Sequence, residues 1–284
     1  MTVRPTRLLR LLLAAGAATL VGPGVALADT TTSSNWSGYA VHRTGVSFRD
    51  VSATWRQPSA TCVPGQPSYS AMWVGLGGFS IGSPALEQIG TEVDCSTSGA
   101  VVSSAWYELV PAPSADVRMT VRPGDLMHAS VTVTGHRVML ALSDLTRRRS
   151  FSKTATVAAI DVTSAEWILE APSECFANNP CRTLTLADFG SGHFADASAQ
   201  SSAGSRGTIS SRLWGSTMIT LAPSGRTFAV YGTAGAARPT ALQHAGAVFQ
   251  VNYAQTAIYP GPPLFTARAS AAAAGSVQPG GARR

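Results

Sequence analysis

Charge is scarce in this chain of 284 residues: Asp, Glu, Lys and Arg together make up 13%, about half of the usual share of roughly 25%. A highly charged disordered protein is therefore excluded, and the lack of any heptad pattern excludes a coiled coil. Only one long apolar run is present, which leaves no room for a polytopic membrane protein. Cys-x-x-Cys and His-x-x-x-His spacings are both missing, so the common zinc ligand sets have no counterpart and no metal is expected. No phosphate loop or dinucleotide fingerprint occurs either, and no cofactor is expected. Helical periodicity is also lacking.

The one apolar run lies at the start. Arg4, Arg7 and Arg10 precede Leu11-Leu12-Leu13, and the run closes on Ala26-Leu27-Ala28. A basic start, an apolar stretch and a small-x-small end read as a secretory signal peptide over residues 1–28, cut after Ala28, so a secreted protein without stable membrane association is expected. The formal net charge of +6 then misleads. Three of the cations leave with the leader, and Arg268, Arg283 and Arg284 sit in an Ala/Gly/Pro/Arg-rich tail at 259–284 that reads as disordered. The remainder is close to neutral and carries no nucleic-acid footprint. The run Arg147-Arg148-Arg149 reads as a solvated loop at a hairpin end. Cys62, Cys95, Cys175 and Cys181 are an even set in an exported chain, which suggests two disulfides. Pairing Cys62 with Cys95 and Cys175 with Cys181 is one of three connectivities.

Between the leader and the tail, short alternating or apolar runs are punctuated by Gly, Pro, Ser and Thr. This is the all-β signature. Strands are predicted at Tyr39–Arg43, Val51–Arg56, Ala71–Leu76, Leu86–Asp94, Val101–Val110, Val117–Val121, Met127–Thr134, Val138–Leu145, Ala165–Glu170, Thr183–Asp188, Met218–Leu221, Thr227–Tyr231 and Val248–Tyr253. So many strands within residues 29–258 fit one antiparallel two-sheet β-sandwich.

Several motifs carry no chemistry. Gly78-Phe79-Ser80-Ile81-Gly82 matches the Gly-x-Ser-x-Gly elbow, but a strand follows where that elbow needs a helix, so Ser80 reads as part of a glycine-rich connection. The five histidines are scattered. What remains is a set of acids, an amide and aromatics on predicted strands. Strand alternation puts Gln88, Gly90 and Glu92 on one face, Trp106 and Glu108 on one face, and Glu166 and Glu170 on one face opposite Trp167 and Leu169. Such a face also fits an ordinary solvated sheet.

Six segments occur in a telling order: Asn35-Trp36-Ser37-Gly38-Tyr39-Ala40, Met72-Trp73-Val74-Gly75-Leu76-Gly77-Gly78, Glu87-Gln88-Ile89-Gly90, Ala105-Trp106-Tyr107-Glu108, Ala165-Glu166-Trp167-Ile168 and Ala187-Asp188-Phe189-Gly190. Together they resemble the glutamic peptidases, or eqolisins. The resemblance implies a concanavalin-like sandwich of two sheets with roughly seven strands each, and acid endopeptidase activity without metal or cofactor. Carried over by position, it implies catalytic roles for Gln88 and Glu166. It implies groove tryptophans at Trp73 and Trp106 and supporting acids at Glu92 and Glu108. One departure stands out: fungal members carry Asp in Trp-Val-Gly-x-Asp-Gly, and Gly77 stands in its place.

Chemically, Glu166 would take a proton from the attacking water and return it to the leaving amine, and the Gln88 amide would bind the oxyanion. The substrate would be a polypeptide, the protein a monomer. A competing reading is a concanavalin-like carbohydrate-binding module or a glycoside hydrolase with a carboxylate pair such as Glu166 with Glu170 or Glu92.

Overall fold

The computed structural model describes residues 29–176, 179–223 and 235–254. The leader at 1–28, the tail at 259–284 and the strand expected at Thr227–Tyr231 lie outside the described residues. The strands, in chain order, are β1 (Asp29–Ser33), β2 (Trp36–His42), β3 (Phe48–Arg56), β4 (Ala71–Gly77), β5 (Leu86–Cys95), β6 (Val101–Val110), β7 (Ala115–Val117), β8 (Leu126–Thr134), β9 (Arg137–Asp144), β10 (Arg149–Thr156), β11 (Ser164–Glu170), β12 (Ser173–Phe176), β13 (Asn179–Thr183), β14 (Ser191–Ser201), β15 (Arg206–Gly207), β16 (Gly215–Leu221), β17 (Ala236–Pro239) and β18 (Phe249–Ala254). Among the described residues the only helical element is a 3-10 turn at His244–Gly246.

The long strands pair in the order β10-β9-β8-β3-β14-β18-β17-β16-β2-β11-β4-β5-β6-β7. The two expected sheets are thus one hydrogen-bonded ribbon folded over at β17. That strand pairs with four residues of β18 but is in register with β16 only at Leu221 and Ala237. Seven strands lie on each side of the fold. All main-path pairings are antiparallel; β1 adds to β16 in parallel.

Alternation explains the packing. In β8 every second residue (Met127, Ala129, Val131, Val133) is buried, the pattern of a half-solvated sheet. The inner faces meet around Trp55, Trp167, Phe194 and Phe249. Buried indoles need partners for their N–H groups. Trp55 donates across the layers to the Thr91 hydroxyl at 2.9 Å, and Trp167 to the Ser52 carbonyl at 2.9 Å.

The centre of the second layer departs from simple alternation. β2, β4 and β11 are buried on both faces along nearly their whole length. Their outer face carries a separate apolar layer built from Trp36, Ala40, Trp73, Trp106, Ile168 and Ile219. This layer is the floor on which the polar groups of the site stand.

Other expectations meet mixed outcomes. Thr183–Asp188 forms isolated bridges instead of a strand, and the strand expected at Val117–Val121 meets β7 only at Val117. Arg147 does sit at the β9–β10 turn, but it is ion-paired to Asp125 at 2.9 Å instead of freely solvated. Cys62 and Cys95 are bonded, with their Cα atoms 5.3 Å apart. Cys181 is disulfide-bonded too; the Cys175 side chain lies outside what is described.

Candidate active site

Three cross-strand rows run over the outer face of the second layer. The first is Glu166–Gly75–Gln88–Glu108, the second Ile168–Trp73–Gly90–Trp106 and the third Glu170–Ala71–Glu92–Ser104. A groove of about 660 Å³ lies over them, lined among others by Asn35, Trp36, Gln88, Glu92, Trp106, Glu108 and Glu170.

Two glycines shape the floor. A Cβ on Gly90 would lie 2.6 Å from Cβ of Trp73, and one on Gly75 would lie 3.0 Å from the benzene edge of the same ring. The indole can therefore lie beside Gly75 only because that residue lacks a side chain, and Gly90 leaves room for the Trp73 backbone and Cβ. Its N–H edge donates to Glu170 Oε2 at 2.8 Å, and its edge packs against Trp36 at 4.9 Å between centroids. Trp73 is thus fully buried beneath the groove, where the resemblance placed it on the wall. Trp106 does line the groove.

The indole also separates the two glutamates of β11. Glu166 shares a face and a row with Gln88, as alternation required. However, the Trp73 ring and the Leu86 side chain close over the intervening Gly75. Glu166 is fully buried, does not line the groove, and makes no hydrogen bond of good geometry, with the Ser164 hydroxyl close by. Burial, with the like charges of Asp161 and Glu87 adding to it, pushes its carboxyl well above the usual range.

The glutamate that reaches the groove is Glu170, one row further on. Its Oε1 accepts from Asn35 Nδ2 at 2.8 Å and its Oε2 from Trp73, so both oxygens are held in place. Burial raises its carboxyl to about 8, with the neighbouring Glu108 raising it further and the donors Trp73, Asn35 and Trp36 working against the rise. Gln88 donates from Nε2 to Glu108 Oε2 at 2.6 Å, and its Oε1 has no protein partner. Glu92 accepts from the Ser104 hydroxyl at 2.8 Å further along the groove. Burial raises both Glu92 and Glu108. Among the described residues no cluster of His, Cys, Asp and Glu is arranged to hold a metal ion.

The family model described as "Peptidase A4 family" matches residues 34–241. The chain belongs to the peptidase A4 family. These are the glutamic peptidases, hydrolases acting on peptide bonds, so a polypeptide substrate follows. Scytalido-glutamic peptidase, solved with a transition-state analogue inhibitor, is 26% identical at a TM-score of 0.63 over 78% of this chain and 98% of that one. SCP-B, an eqolisin solved with the tripeptide Ala-Ile-His, is 24% identical at a TM-score of 0.60 over 78% and 98%. Aspergilloglutamic peptidase from Aspergillus niger is 24% identical at 0.52 over 66% and 99%. No curated protein sequence matches significantly.

This glutamic peptidase carries one feature that sequence reasoning missed. Asp161, on the connection before β11, lies against Gly77, the position at which the sequence departs from the fungal pattern: a Cβ there would meet the Asp161 carbonyl oxygen at 2.5 Å and its Cβ at 2.6 Å. Nothing in the spacing of the motifs points to a residue so far along the chain.

Proposed function

We propose that this chain is a secreted endopeptidase in which Glu170 and Gln88, not Glu166 and Gln88, act on one water and the scissile peptide. The observation that carries this reading is that Glu170 and Gln88 open to one groove, each with its polar group fixed by a neighbour on the sheet. Glu166 lacks that access.

Below about 8 the Glu170 carboxyl is neutral, so it enters the reaction as an acid. It gives its proton to the carbonyl oxygen while the water adds to the carbon and passes a proton to the other carboxyl oxygen. The product is a neutral gem-diol and Glu170 is again protonated. Glu170 then protonates the nitrogen, the C–N bond breaks, and a gem-diol proton returns to the carboxylate. An acid and an amine leave, and the enzyme is unchanged. The Trp73, Asn35 and Trp36 donors hold the Glu170 carboxyl in place for this traffic. Gln88 spends one amide hydrogen on Glu108 and has one left for the oxygen of the gem-diol. A donor of this kind is worth about 3–4 kcal/mol when removed from comparable sites. Glu108 fixes the amide, and Trp106 supplies an apolar wall for an extended peptide.

The Cys62–Cys95 bond fits an oxidising compartment and so supports export. Mutagenesis separates the two glutamates: Glu170→Gln and Gln88→Ala should abolish cleavage of denatured protein with the fold intact, whereas Glu166→Gln should still cleave. Activity in folded Glu170→Gln, or its loss in folded Glu166→Gln, would overturn the assignment.

A further inference from the structure

The connection between β4 and β5, residues 78–85, forms one rim of the groove, and Gly78, Ser83 and Ala85 line it. Little of its own packing holds it there. Ile81 at its tip is 85% exposed. Phe79 stacks on the His42 ring at 4.8 Å, and one turn closes from Ser83 N to Ser80 O at 3.0 Å. Within the connection the Ser83 hydroxyl also reaches the Ala85 carbonyl at 2.9 Å and the Gly78 N–H reaches Ser83 Oγ at 3.3 Å; the remaining tie to the rest of the fold comes from one carboxylate. Asp161 Oδ2 accepts from the Ser83 hydroxyl and from the Gly78 N–H at 3.2 Å. Its Oδ1 accepts from the Thr163 N–H at 2.9 Å and the Thr163 hydroxyl at 2.6 Å. Every acceptor position of this carboxylate is used, and the residue is only 7% exposed.

Glycine at 77 is what admits it. Gly77 has φ +83°, a conformation that suits glycine, and any side chain there would collide with Asp161. Burial alone would raise the Asp161 carboxyl, but the donors from Ser83, Thr163 and Gly78 outweigh it and hold it below the usual carboxylate range. It therefore keeps its charge in acid, where its neighbours Glu87 and Glu166 are neutral.

We propose that Asp161 is a positioning residue that sets the 78–85 rim of the substrate groove through Ser83 and Gly78. This rests on the peptidase reading of the groove. The carboxylate does not touch the reacting atoms, so its loss acts on how the peptide is held and not on proton transfer.

The test combines kinetics and hydrogen exchange on Asp161→Asn, Ser83→Ala and the double variant. Loss of a hydrogen bond to a charged group predicts a KM increase of about tenfold or more with kcat nearly unchanged. The double variant should be no worse than the more affected single one, because both act through one contact. Exchange should speed up at 78–85 and nowhere else in the second layer. An unchanged KM, a fall in kcat at constant KM, or additive effects would overturn the proposal. If Asp161→Asn fails to fold, Ser83→Ala alone decides, since it removes the rim hydroxyl and leaves Asp161 in place. The exchange measurement needs no turnover. Loss of the peptidase reading through an active Glu170→Gln would therefore stand apart from loss of the tie, which unchanged exchange in Ser83→Ala would show.

Discussion

Raising the pH should unfold this protein from within, and Glu87 offers the cleanest way to measure it. Glu87 lies on β5, 1% exposed, with Oε2 lacking a partner. Burial lifts its carboxyl from 4.5 to about 8; the charge of Asp161 adds to the rise, and N–H groups of Asp161 and of Glu87 itself oppose it. The folded value lies above the unfolded one, so the unfolded chain releases the proton first. Stability is then fully present below about 4.5 and falls as the pH climbs toward about 8. One proton is worth about 1.4 kcal/mol per pH unit, so Glu87 alone removes about 3 kcal/mol between pH 4.5 and 7. That is a large part of the roughly 5–15 kcal/mol that holds a domain together. Urea unfolding of the wild type and of Glu87→Gln at pH 4.5 and pH 7 measures it. The variant should lose about 3 kcal/mol less than the wild type over that interval. Equal losses in the two proteins would refute the reasoning, whatever the variant's stability at pH 4.5.

Two further outcomes follow from the groove. Because the proposed reaction starts from protonated Glu170, kcat/KM should fall as the pH rises through the region of about 8, or earlier where the fold is lost first; a profile that rises toward 8 would contradict it. Glu108→Gln should loosen the Gln88 amide and lower kcat by roughly 10- to 100-fold with KM little changed, as read by steady-state kinetics on a peptide substrate.

Most of the fold was legible because most strands alternate strongly. β6 spans Val101–Val110 as expected, and β4, β5, β8, β9 and β11 differ from expectation by a residue or so at their ends. Two long strands escaped notice for opposite reasons. β14 buries Gly192, Ala197 and Ala199 beside Phe194, residues too small to raise an apolar signal. β10 has a single large apolar residue, Phe151, among polar ones and offers no clear alternation to see. In the site, Gln88, Glu92, Trp106 and Glu108 were legible as one face. Which of Glu166 and Glu170 reaches the groove was not, because residues four apart on a strand share a face and period-2 reasoning treats them alike. What separates them is the lie of the Trp73 ring against Gly75, a matter of packing between strands. Asp161 was invisible for a related reason: its importance comes from the room left at Gly77.

The ribbon bent double at β17 has a consequence for solubility. Two separate sheets would expose four lateral borders with unpaired peptide groups, each a template for another chain. Among the described residues the single path through both layers ends at two, β10 and β7, with β1 attached beside β16 as a short additional one. β7 is only three residues long, and β10 carries Arg149 and Lys153 among serines and threonines. Shortness guards one border and like charge the other, so molecules crowded together have little to zip onto.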